Sequence, residues 1–154
     1  MEERYLPPSD FLQAVINEDV PFGEHDFGEK NLARLIEMTR DADPANRDWA
    51  TLLLSQLGMD RPDVRAALVK AAEDENSAVR AEAILGLAQM HRGLALPLLR
   101  KELKGWHVNM PLLEAATIVA DVSLVEDLEA FAEPSGNKLL DQMVVDAINA
   151  CRPV

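Results

Sequence analysis

Three histidines, one cysteine and 27 carboxylates are the side chains of this chain with most scope for chemistry. His25, His91 and His107 are far apart, and none belongs to an HExxH motif or to a two-histidine helical spacing, so no zinc-hydrolase pattern is spelled out. His25, between Glu24 and Asp26, is the one histidine with carboxylates beside it in sequence, and that alone is too few ligands to predict a metal site. Cys151 has Arg152 as its basic neighbour; little there would hold its thiol ionised, and it reads as a packed residue. A lone cysteine also excludes an intrachain disulfide and a four-cysteine zinc site. No glycine loop of the phosphate-cradling kind occurs, and the abundance of carboxylates in an acidic chain is no sign of acid–base work. The expectation is therefore no catalytic residue, no metal and no cofactor.

Charge placement says more than charge total. The net charge is −12. Residues 1–31 hold eight acids against Arg4 and Lys30, and residues 121–154 hold seven against Lys138 and Arg152, whereas the middle has twelve acids and eleven bases. Both ends are electronegative, which disfavours nucleic acid and anionic membrane as partners and favours a basic protein, although an acidic surface also serves solubility alone. No stretch of about 18 apolar residues and no basic-then-apolar leader is present, so the reading is no membrane span, no secretory signal and a reducing, cytoplasmic setting.

The elements that would carry any site come from an internal repeat. Asp41, Arg47, Ala50, Leu54, Gln56 and Leu57 are matched 33 residues later by Asp74, Arg80, Ala83, Leu87, Gln89 and Met90. Leu35 and Ile36 likewise match Leu68 and Val69, so the unit is two helices. A third copy keeps Ala116 but has Leu113 where the arginine would stand, and a fourth keeps only apolar periodicity. Apolar residues three and four apart predict helices at about 29–40, 44–58, 61–73, 76–91, 94–104, 109–121, 123–132 and 137–151. Asp43-Pro44, Asp60-Arg-Pro62 and Asn109-Met-Pro111 read as caps followed by proline in the first turn, and glycines 58, 93, 105 and 136 as ends or turns. Residues 1–28, with a short helix at 10–16, differ in kind; they form either a cap over the first hairpin's open apolar face or a partner-binding loop carrying Phe22 and Phe27. The repeat domain then runs 29–154.

The turn aspartate followed by Val79-Arg80-Ala-Glu-Ala83-Ile-Leu-Gly-Leu87 resembles the HEAT repeat, in the short bacterial variety related to bilin-lyase subunits. The 33-residue spacing also suits ankyrin or tetratricopeptide repeats, but their Thr-Pro-Leu-His and Trp/Gly/Tyr signatures are absent. The resemblance implies an all-α, right-handed solenoid of about four antiparallel hairpins behind an N-terminal cap. It also implies a structural ladder, here Asp41 or Asp43, Arg47, Asp74 and Arg80, in which turn aspartates and helix arginines link neighbouring units, and second helices that line the concave face.

With the ladder arginine as position zero, positions three, four, seven and ten point inward and positions two, five and nine form an outer stripe. That stripe is Trp49, Leu52 and Gln56, then Glu82, Leu85 and Gln89, then Ala115, Ile118 and Val122. Leu52, Leu85 and Ile118 would give an apolar row beside a tryptophan, the composition of a protein-binding hot spot; alternatively Trp49 packs against the N-terminal cap. Trp106 and His107, near Arg100, Lys101 and Lys104, form a weaker second candidate. The function these residues support is a non-enzymatic protein-interaction module, an adaptor or regulator; the alternatives are an inhibitor or immunity-type protein acting on a basic enzyme and a bilin-lyase-like subunit. A DNA-binding HEAT enzyme of the alkylpurine glycosylase kind is disfavoured, because nothing here lines a groove with bases.

Overall fold

Side-chain caps decide where most helices of this chain begin. The computed structural model describes residues 4–153; Glu2 and Glu3 of the acidic N-terminal stretch lie outside the described residues. Helix α1 (Asp10–Ile16) starts where Ser9 accepts from the Leu12 amide, and α2 (Asp26–Met38) where His25 Nδ1 accepts from Gly28 N at 3.0 Å. That histidine cap starts α2 three residues before the expected 29. Helix α3 (Pro44–Leu57) is capped by Asp43, α5 (Ser77–Met90) by Asn76, α7 (Met110–Val119) by Asn109 and α9 (Lys138–Cys151) by Asn137, each accepting from first-turn amides that have no partner within the helix. His91 ends α5 and, through Nδ1, caps α6 (Arg92–Leu103). Helix α4 (Pro62–Ala71) departs from expectation: Arg61 stands at its N-cap with no side-chain cap bond, while Asp60 pairs with Arg65 at 3.1 Å. A 3-10 turn (Val122–Leu124) leads into the five-residue α8 (Val125–Glu129). Among the described residues there is no strand.

The helices form a repeating layer structure. Second helices pack on one another in the order α3, α5, α7, α9, while α2 and α4 lie behind them against α3 and α5, and α6 lies against both α5 and α7. Neighbouring first helices touch far less than neighbouring second helices do. The equivalent alanines Ala50, Ala83 and Ala116 are fully buried between successive second helices, where a larger side chain would force them apart. Gly86 gives a closer approach still: a Cβ there would run into the side chain of Ser55, whose hydroxyl donates to the Glu82 carbonyl at 3.1 Å. Helix α5, enclosed by α3, α4, α6 and α7, buries Val79, Ala81, Ala83, Ile84, Gly86, Leu87 and Ala88.

The N-terminal segment covers the first hairpin. Phe11, Leu12 and Val15 of α1 are buried where α1 packs on α3, and the Arg34 guanidinium of α2 lies 4.3 Å from the Phe11 ring centre. Phe22 packs against the core, whereas Phe27 is 74% exposed. At the other end Cys151 is buried, its Sγ 3.5 Å from the Ala116 carbonyl, and burial pushes its thiol pKa up, as a packed rather than a reactive cysteine requires.

Candidate protein-interaction face

The ladder residues hold the turns and leave the second-helix face free for other work. Arg47 donates from Nε to Asp74 Oδ2 at 2.9 Å, and from its NH1 nitrogen to the carbonyls of Asp41 and Ala42 at 3.1 and 3.2 Å. Arg80 repeats the carbonyl contacts 33 residues on, to Asp74 and Glu75, but its carboxylate partner differs. The third turn carries no aspartate, and Arg80 instead engages Glu102 of α6, with Nε 3.0 Å from both oxygens. Asp41 forms no side-chain pair with an arginine: its carboxylate accepts from Asn46 Nδ2 and the Asp43 amide, and these two bonds, in that order, hold its pKa low. Asn46 in turn accepts from the Ser9 amide at 3.0 Å, tying the N-terminal segment to the first turn.

The outer stripe is present in the first two hairpins and shifts in the third. Leu52, Leu85 and Ile118 are half-buried, Gln56 and Gln89 exposed. Leu85 and Ile118 rest on the core. Ala115 is fully buried rather than outward, and Val122, 59% exposed, lies past the end of α7 in the 3-10 turn. Val122 leaves the stripe because α7 is shorter and stops at Val119, with Ala120 in the left-handed conformation, φ 51°.

Trp49 is not an open anchor. Its ring stacks on Tyr5 of the N-terminal segment, with centroids 5.8 Å apart and planes at 27°, and its indole N–H is buried without an acceptor. The Tyr5 hydroxyl donates to Asp48 at 3.1 Å, and burial, then Asp48, pushes the phenol pKa up. Trp49 thus packs on the N-terminal segment, and the two rings together form one aromatic ledge at the α3 end of the row.

Sequence reasoning passed over the face's electrostatics. Asp48 of α3, Glu82 of α5, Glu114 of α7 and Asp146 of α9 form no ion pair among the described residues, whereas Glu29, Asp60, Asp74, Glu102 and Asp127, on first helices and turns, all do. The bases of these second helices are Arg47 and Arg80, committed to the ladder, and Lys138 at the start of α9. Glu82 is the extreme case: one carboxylate oxygen is buried with no donor among the described residues, and burial, then Asp48 and Glu114, raises its pKa from 4.5 to about 7. Asp48 and Glu114 follow the ladder position by one residue, a place the apolar register did not single out. Glu114, Thr117 and Ile118 face Met143 and Asp146 across a shallow apolar and acidic groove between α7 and α9. The other candidate, Trp106, is 94% exposed. Among the described residues no group of three His, Cys, Asp or Glu side chains is arranged to hold a metal ion.

A family model described as HEAT repeats matches residues 32–105. Those residues are HEAT repeats. Two curated relatives named Protein YibA, from Escherichia coli strain K12 and Escherichia coli O157:H7, are each 33% identical over 95 residues, or 62% of this chain and 34% of the relative. The chain thus spans about a third of the length of the curated relatives it matches. The X-ray structure of Escherichia coli YibA superposes with a TM-score of 0.64 at 22% identity, covering 92% of this chain and 54% of that one, so the fold likeness continues past the matched HEAT repeats. HEAT repeats generally mediate protein interactions. Among the described residues no helix is long and apolar enough to cross a membrane.

Proposed function

We propose that this chain is a non-enzymatic interaction module, a right-handed solenoid of about four hairpins that holds a basic segment of a protein partner along its second-helix face. One observation carries the reading: the face combines an apolar row, Leu52, Leu85 and Ile118, with carboxylates of four successive second helices that form no ion pair among the described residues. An unpaired, partly desolvated carboxylate is unfavourable in the free protein and gains most from an incoming cation, so charge complementarity selects a basic partner and speeds its encounter. The apolar side chains between the acids supply surface to bury on binding. The HEAT repeats of residues 32–105 support the same reading, since repeats of this kind present extended binding surfaces. An inhibitor acting on a basic enzyme is one specific form of it.

The test is capture of partners on the immobilised chain from a lysate of its own source, alongside Leu52→Glu with Ile118→Glu. These half-buried positions disturb the fold less than Trp49 would. A basic protein retained by the parent, lost with the double variant and eluted as salt is raised from about 50 to 500 mM supports the face as the binding surface. Retention unchanged by the double variant contradicts it.

A further inference from the structure

The aromatic ledge and the strained carboxylate belong to one locus, and Asp48 joins them. Trp49 and Glu82 occupy the same register position on adjacent second helices, each two residues past its ladder arginine. Asp48 accepts the hydroxyl of Tyr5, which stacks on Trp49, and also acts electrostatically on Glu82. The locus therefore offers a stacked pair of rings, one carboxylate holding a phenol, and a second carboxylate with a buried oxygen that has no donor among the described residues. An orphaned carboxylate beside aromatic surface calls for a donor that is cationic, planar and tolerant of partial burial. A guanidinium meets all three demands: it bonds carboxylate oxygens in pairs, stacks on rings and is more weakly hydrated than an ammonium.

Resting on the proposed reading of this face, we infer that the partner inserts an arginine side chain at Glu82, against the Tyr5–Trp49 ledge, as the anchor of its basic segment. Water leaves the carboxylate as the guanidinium arrives, and the negative charge that burial and the two neighbouring acids disfavour becomes favourable once paired. Asp48 stays with Tyr5 and holds the ledge in place. Glu114 and Asp146, further along the row, meet the next cations of the segment. The register of the partner is thereby fixed at the α3–α5 step, while the remainder of the face contributes attraction without fixing position.

The probe is an end-blocked nona-arginine peptide, with nona-lysine as its comparison, titrated into the full chain at pH 8 by calorimetry. Glu82→Gln, which keeps shape and removes charge, is set against Glu37→Gln, an exposed first-helix acid outside every ion pair. The expected result is a loss in nona-arginine affinity of about tenfold or more for Glu82→Gln, under about threefold for Glu37→Gln, and weaker nona-lysine binding to the parent. Three results overturn the anchor: equal loss in Glu82→Gln and Glu37→Gln, retention in Glu82→Gln, or nona-lysine binding as tightly as nona-arginine. Loss confined to Asp48→Asn, Glu114→Gln and Asp146→Asn removes the anchor at Glu82 and leaves the face reading standing. If no second-helix variant differs from Glu37→Gln, both readings fail together.

Discussion

At the scale of single residues, Glu82 is where stability and binding pull in opposite directions. A carboxyl whose folded pKa lies above its unfolded value is neutral in both states below pH 4.5, so it weakens nothing there; as pH rises from 4.5 through about 7 the folded state resists ionisation and stability falls. Glu82→Gln should therefore unfold like the parent near pH 4.5 and be more stable at pH 8. The difference is about 1 to 2 kcal/mol once screening at a half-buried site is allowed for. Urea unfolding at the two pH values measures it, and a variant less stable at pH 8 would show that the carboxylate has a partner in the folded chain. Neither Glu82 nor Trp49 was fully legible in sequence. Their positions on the outer stripe followed from counting along the helix, but the raised pKa of Glu82 depends on burial and on the like charges of Asp48 and Glu114, which arrive from other repeats. Trp49's cover is Tyr5, 44 residues away in a segment without repeat register.

At the scale of elements, the 33-residue offset was informative because it constrains packing and turns together. The carbonyl contacts of Arg47 and Arg80, the aspartate-to-amide bonds at Asp41 and Asp74 and the caps at Asp43 and Asn76 all recur at that spacing. The register failed in the third hairpin for a local reason. Ala120 ends α7 early, and with no aspartate in the preceding turn Arg80 reaches sideways to Glu102. A close helix approach was also hidden, because Gly86 reads in sequence as a weak point in a helix, yet its missing Cβ is what lets α5 meet Ser55 of α3. Gly86→Ala should lower stability by about 1 to 2 kcal/mol, the steric clash exceeding the gain in helix propensity. Adding Ser55→Gly should recover part of that loss, and thermal unfolding of the two variants decides it. A Gly86→Ala protein as stable as the parent would mean that α3 and α5 lie further apart.

At the scale of the whole molecule, one layer does the packing and also presents the surface. Second helices stack closely because alanines and one glycine sit between them, and that closeness brings acids of successive repeats near enough to disfavour one another's ionisation. The total charge of −12 is spread toward the ends, and charge counts along the chain pointed there for a partner. In the folded chain the ion pairs among the described residues all take their acids from first helices and turns, while Asp48, Glu82, Glu114 and Asp146 on the second-helix face have none, an arrangement that depends on which arginines the ladder consumes. The most direct test of that face is a nuclear magnetic resonance titration of the isotope-labelled chain with the nona-arginine peptide. The largest amide shifts are expected along α3, α5, α7 and α9, centred near Asp48, Glu82 and Ile118; shifts confined to the acidic stretches at residues 17–29 and 126–133 would contradict binding on the second-helix face.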